Sequence, residues 1–119
     1  MVKWGIIGLG NMANHFATAI RKLNNTKLVS IASKSSLKLN KFAKEYNISK
    51  DCMFSSYKEL IESDSVNSIY ISTLNNTHIE LILECVKYKK NILCEKPMGL
   101  NIEEANTAHE KIKQSKVLF

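Results

Sequence analysis

The chain has 119 residues, 45% of them hydrophobic and 24% charged, with a formal net charge of +6. This length predicts one domain with a real core, and the composition is that of an ordinary soluble globular protein. No stretch approaches the ~20 apolar residues of a membrane span, and the apolar N-terminal run breaks into glycines without a small-residue cleavage site, so it reads as a buried strand and not as a leader. The three cysteines, Cys52, Cys85 and Cys94, form no C-x-x-C pair. They read as reduced thiols of a cytoplasmic protein, with Cys85 and Cys94 as small core residues. Residues 1–44 carry eight Lys or Arg and no acid; the first acid is Glu45. A basic first third suits nucleic acid, a membrane surface or a phosphorylated small molecule. Lys38, Lys41 and Lys44 recur every three residues and read as the solvated face of one helix. No aromatic residues interleave with them, so nucleic acid is not the expected partner.

Strand-like runs alternate with helix-like periods along the chain. This predicts an α/β fold: a doubly wound parallel sheet in three α/β/α layers, with strand order near 3-2-1-4-5-6. Strand one covers residues 2–8. A helix over 11–23 follows, with Met12, Phe16, Ile20 and Leu23 on its core face. Strand two covers 28–32. The second helix covers 36–46, with Leu39, Phe42, Ala43 and Tyr46 inward and Ser35 or Ser36 as cap. A short strand at 52–54 precedes a capping box, Ser56 to Glu59, that opens a helix to residue 62. Strand four covers 68–72. A second capping box, Thr77 to Glu80, opens a helix with Ile79, Ile82, Leu83 and Val86 as its buried stripe. Strand five covers 91–94, and Pro97 prevents simple continuation of the ladder. Asn101, with Glu104 three residues later, starts a helix to residue 115. Val117, Leu118 and Phe119 open a sixth strand.

Gly8-Leu9-Gly10-Asn11-Met12-Ala13 is G-x-G-x-x-A between a strand and an amphipathic helix, the setting in which this pattern binds a dinucleotide. Gly8 permits the tight turn, Gly10 admits a pyrophosphate, and Ala13 allows close helix–strand packing. The helix N-terminus adds free N–H groups and a positive dipole end. A site selective for NAD usually places an acid ~20 residues on, at the end of strand two. That position here reads Ala32-Ser33-Lys34-Ser35-Ser36, and no acid occurs between Gly10 and Glu45. Ser33 and Lys34 are therefore expected to favour NADP over NAD. Cys94-Glu95-Lys96-Pro97 lies at the C-terminal end of strand five, where open α/β sheets keep their ligands. A lysine there can orient a substrate hydroxyl or join a proton relay.

Taken together, Trp4 to Ala13, Ala32 to Ser35, Tyr70-Ile71-Ser72-Thr73-Leu74-Asn75 with His78, and Cys94-Glu95-Lys96-Pro97-Met98 resemble the Gfo/Idh/MocA oxidoreductases over essentially the whole chain. The resemblance implies a domain, residues 1–119, that binds NADP or NAD, and a hydride transfer to or from a sugar, polyol or related hydroxyl or carbonyl compound. It places Lys96 beside the nicotinamide as the catalytic residue. By the same resemblance Gly8, Leu9, Gly10, Asn11, Met12, Ser33, Lys34, Thr73, Leu74, Asn75, His78, Glu95, Lys96 and Pro97 contact the cofactor. Leu74 stands where the family usually has proline, which predicts a less rigid loop. The resemblance also implies a second, sheet-containing domain beyond Phe119, which carries most substrate contacts, a catalytic histidine and the oligomer contacts. The rival reading is a cofactor-binding module or sensor without catalysis. His15 is expected at the surface, His78 in a structural or capping role near the cleft, and His109 partly buried; the three are too scattered for a metal site.

Overall fold

The computed structural model describes all 119 residues. Five parallel strands are ordered β3-β2-β1-β4-β5: β1 (Val2–Ile7), β2 (Thr26–Ala32), β3 (Met53–Phe54), β4 (Ser68–Ile71) and β5 (Asn91–Cys94). Helices α1 (Asn11–Ile20) and α2 (Ser36–Tyr46) cover one face. Helices α3 (Tyr57–Glu62), α4 (His78–Lys87) and α5 (Ile102–Gln114) cover the other. Alternation along the strands divides the apolar side chains between two cores. Ile6, Ile31 and Tyr70 pack on Ala13, Ala17, Leu39 and Phe42; Ile7, Ile69, Ile71 and Ile92 pack on Leu60, Ile82, Cys85 and Ile112. This is the expected doubly wound, three-layer α/β arrangement.

Several local expectations are corrected. Helix α1 stops at Ile20 and buries Ala13, Ala17 and Ile20, while Met12 and Leu23 are exposed. Two alanines let the helix lie close to the sheet, and this close seat turns Met12 outward. Helix α4 buries His78, Leu81, Ile82 and Cys85; Ile79, Leu83 and Val86 are half-buried, because α4 is flanked by α3 and α5 as well as the sheet. The Thr77–Glu80 box does not form. A single 3-10 turn, Asn75–Thr77, precedes α4 and directs the Thr77 hydroxyl back to the Leu74 carbonyl at 2.6 Å. The other caps are made: Ser35 Oγ accepts from Lys38 N, Ser56 Oγ from Glu59 N and Asn101 Oδ1 from Glu104 N. His109 is exposed, because α5 buries Ala108 and Ile112 one step round the helix. His15 is exposed as expected.

No sixth strand forms, but the tail runs beside β5. Ile92 N donates to the Leu118 carbonyl at 2.8 Å, and Leu118 N donates to Asn91 Oδ1 at 3.1 Å. No helix is long and apolar enough to cross a membrane. Cys85 is fully buried and Cys94 half-buried, and burial pushes each thiol up to about 12. Their contribution to stability is therefore complete below the ordinary value of 9.0 and is lost as pH rises toward about 12. At about pH 8 both should label with a thiol reagent far more slowly in the folded chain than in urea, since the thiolate is the reactive form. Equal rates in the two states would contradict the burial.

Candidate functional site

The site lies at the C-terminal ends of the strands, where β1 stands between β2 and β4 and the chain reverses its direction across the sheet. Gly8 has φ +89°, and its amide donates to the Ala32 carbonyl at 3.0 Å. Ser72 Oγ donates to the Gly8 carbonyl at 2.9 Å. The turn is thus bonded to β2 on one side and to the end of β4 on the other. A Cβ on Gly8 would stand 2.9 Å from the Ser72 carbonyl oxygen, whereas one on Gly10 would meet nothing within 4 Å. Gly10 faces open space at the start of α1. It caps the helix without a side chain, and the first turn carries no acid. The helix therefore presents an uncancelled positive end to that space.

One open cleft of about 330 Å³ gathers Gly8, Leu9 and Gly10 from the first turn, Ser33 and Lys34 from the end of β2, and Thr73 and Leu74 from the end of β4. These segments are far apart in sequence, and the parallel strands bring them together. Four further cleft residues escaped the sequence reading as site residues: Ser35, Lys38, Tyr57 and Ser72. Lys38 was read as part of a solvated face. It is exposed, but it lies in the first turn of α2 and reaches the cleft from there. Its place one turn past the β2 terminus was the available signal. Tyr57 gave no such signal, because only the return of the chain through β3 carries α3 to this edge. Lys34 Nζ lies 5.3 Å from the Tyr57 ring centroid. The cleft walls hold two lysines and no carboxylate.

Ser35 Oγ caps α2, and Ser33, expected to face a 2′-phosphate, is already engaged in the same turn. Ser33 is buried, and its Oγ accepts from Ser35 N at 3.1 Å. Its own proton remains available to donate. Asn11 lines a neighbouring crevice of about 250 Å³ with Asn14, Lys38, Lys41 and the carboxylate of Glu45. Met12 is exposed and lines neither space.

The remaining predicted residues belong to the two loops beyond the cleft. Asn75 is exposed in the 3-10 turn, and Lys96 and Pro97 are exposed after β5. The Lys96–Pro97 peptide is cis. Glu95 is half-buried and accepts a hydrogen bond from the Tyr70 hydroxyl. That carboxylate, together with burial, raises the Tyr70 phenol well above its ordinary value, burial being the larger cause. His78 is fully buried, with Nδ1 2.6 Å from the Pro97 carbonyl oxygen and Nε2 3.1 Å from that of Thr73. It touches the loops and does not face the cleft. No group of three or more His, Cys, Asp or Glu is placed to hold a metal ion.

The family described as an oxidoreductase family with an NAD-binding Rossmann fold, Gfo/Idh/MocA, matches residues 2–119. The chain belongs to this family. A Rossmann fold accounts for the glycine turn and the sheet order. Mouse trans-1,2-dihydrobenzene-1,2-diol dehydrogenase is 33% identical over 120 residues, covering 99% of this chain and 35% of that protein. The structure of scyllo-inositol dehydrogenase from Lactobacillus casei with bound NAD(H) and scyllo-inositol superposes with a TM-score of 0.88 at 26% identity, covering 96% of this chain and 33% of that one. A Desulfitobacterium hafniense protein described as an NADPH-dependent oxidoreductase gives a TM-score of 0.86 at 31% identity, covering 98% and 33%. The chain spans about a third of the length of the relatives it matches. It is the NAD(P)-binding Rossmann domain of an oxidoreductase family.

Proposed function

We propose that this chain is the cofactor domain of a dehydrogenase that prefers NADP and acts on a sugar, polyol or diol. The observation that carries the preference is the cleft itself: Ser33, Lys34 and Lys38 line it, and no carboxylate does. A 2′-phosphate brings charge that an acid would repel and these groups attract. One charge-assisted hydrogen bond is worth ~1.5–3 kcal/mol, or roughly tenfold to a hundredfold in affinity. Gly8, Gly10 and the N-terminus of α1 hold the pyrophosphate. Thr73 and Asn75 line the path toward the nicotinamide. Lys96 is the catalytic residue: its Nζ donates to the substrate oxygen and so orients the reacting carbon. The bound nicotinamide supplies or accepts the hydride. The substrate class rests on the inositol and dihydrodiol dehydrogenases among the relatives. In this reading the remaining substrate contacts and the oligomer contacts come from a second domain of the kind that the longer relatives have room for, and the protein works in the cytoplasm with its three cysteines free.

Titration calorimetry with NADPH and NADH tests the preference. NADPH should bind about tenfold to a hundredfold more tightly, and Ser33→Asp should weaken NADPH selectively. Equal affinities, or tighter NADH, would remove the preference and leave the Rossmann assignment intact. The chain by itself should bind cofactor without turning over polyols. Steady hydride transfer by these 119 residues would show that they contain the whole catalytic apparatus.

A further inference from the structure

Lys96 is exposed on a loop, yet the residues on both sides of it are held from beneath. On one side the Tyr70 hydroxyl donates to Glu95, and the Tyr70 ring is 3% exposed and stacked on Phe16 at 4.2 Å between centroids. On the other side His78 Nδ1 stands 2.6 Å from the Pro97 carbonyl. A carbonyl only accepts, so an N–H on this edge of the ring donates to it. The opposite edge of the same ring faces the Thr73 carbonyl at 3.1 Å, in the loop after β4. One buried imidazole thus lies between the loop of Thr73 and the loop of Lys96. Next to it, Ile79 packs on Gly99, leaving only 3.2 Å to a Cβ placed there. The backbone after β5 is tied to β4 where Glu95 N donates to the Ile71 carbonyl at 2.9 Å and to the first turn of α4 through His78, and the Tyr70 hydroxyl adds a hold on the Glu95 side chain.

We propose that Tyr70 and His78 are positioning residues that set where Lys96 stands against the nicotinamide end of the cofactor. This assignment rests on the cofactor reading above. A rigid clasp matters because an exposed lysine has many rotamers, and a fixed backbone leaves only those side-chain torsions to be ordered on the ligand. Neither side chain lines the cleft that gathers Gly8, Gly10 and Ser33, so their effect should be confined to the nicotinamide half of the ligand.

The test compares NADPH with 2′-phospho-ADP-ribose, which lacks the nicotinamide, on the folded chain. Tyr70→Phe keeps the ring on Phe16 and removes only the donor to Glu95. His78→Gln cannot place its amide where Nδ1 sits, whereas His78→Asn can. Tyr70→Phe and His78→Gln should each weaken NADPH by about threefold to tenfold, the worth of one hydrogen bond. Binding of 2′-phospho-ADP-ribose should not change, and His78→Asn should recover most of the loss. In a Lys96→Ala background the Tyr70→Phe loss should vanish, because residues that act through one another are not additive. Equal losses for both ligands, or a loss that persists without Lys96, would reduce the clasp to general fold support and overturn the proposal. Tyr70→Phe alone decides this if the His78 variants do not fold. A wild-type chain that binds neither ligand would overturn the cofactor reading and this assignment with it. A wild-type chain that binds both, with variants that match it, would overturn the assignment alone.

Discussion

Gly8→Ala is expected to destabilise the fold by roughly 2–5 kcal/mol, while Gly10→Ala leaves the fold intact and weakens cofactor binding. The two glycines lie two residues apart in the same motif, and their environments are opposite. Gly8 has φ +89°, a conformation that costs an alanine about 1–2 kcal/mol. Its new Cβ would also press on the Ser72 carbonyl oxygen at 2.9 Å and on the Thr73 methyl at 3.0 Å. Both neighbours are held by β4, whose next amide, Ser72 N, donates to the Ile7 carbonyl at 2.9 Å, so neither can retreat cheaply. At ~4 °C per kcal/mol for a domain of this size, the melting temperature should fall by roughly 8–20 °C. Gly10 has φ −93° and ψ −163°, ordinary extended backbone, with nothing within 4 Å of a Cβ. Alanine there should keep the melting temperature or raise it slightly, by restricting the unfolded chain. The methyl group would stand in the space that the pyrophosphate must enter, and NADPH affinity should drop by more than about tenfold. Thermal melts and calorimetry on the two variants separate the effects. A stable Gly8→Ala chain, or Gly10→Ala with unchanged affinity, would contradict the assigned roles.

Lys90→Met should cost about 2–4 kcal/mol, a large loss for a lysine. Lys90 is 7% exposed, and its ammonium donates to the Ser63 carbonyl at 2.7 Å and to the Val66 carbonyl at 2.8 Å. It ties the loop between α3 and β4 to the start of β5. Burial lowers its proton affinity, and Asp64 opposes that shift in part. Methionine matches the length and the apolar stem but leaves two carbonyls without their donor. Each hydrogen bond to a charged group is worth ~1.5–3 kcal/mol, and relief of the buried charge offsets part of the loss. Urea denaturation should show a lower midpoint at an unchanged slope. A variant as stable as the parent would mean that water satisfies both carbonyls equally well. The Lys27→Met control, on an exposed lysine of β2, should change stability by less than about 0.5 kcal/mol.

Legibility followed the range of the interaction. The strands and helices were readable because period 2 and period 3.6 are written in neighbouring residues, and the caps of α2, α3 and α5 depend on side chains three positions away. The errors came where a distant partner competed. Thr77 has the sequence of a cap, but its hydroxyl finds the Leu74 carbonyl. Met12 has helical spacing, but Ala13 and Ala17 seat α1 against the sheet. Ser33 reads as free, but it is folded into the turn that starts α2. Val117 to Phe119 read as a strand, and their tail reaches β5 through a backbone bond and an asparagine side chain without completing a ladder.

By itself, the sequence determined the parallel α/β plan, the glycine turn at Gly8 and Gly10, and the absence of an acid where β2 ends. Each depends on residue type at short spacing: the alternation of apolar residues, a position that only glycine tolerates, a charge that is present or missing. The tertiary structure alone decided that Lys38 and Tyr57 share the cleft with Ser33, that Lys90 is a buried clasp and not a surface charge, and that His78 and Tyr70 hold the loop of Lys96. These facts depend on which strand lies beside which and on how deeply each helix sits. A lysine or a histidine carries the same letter whether the fold leaves it in water or closes over it.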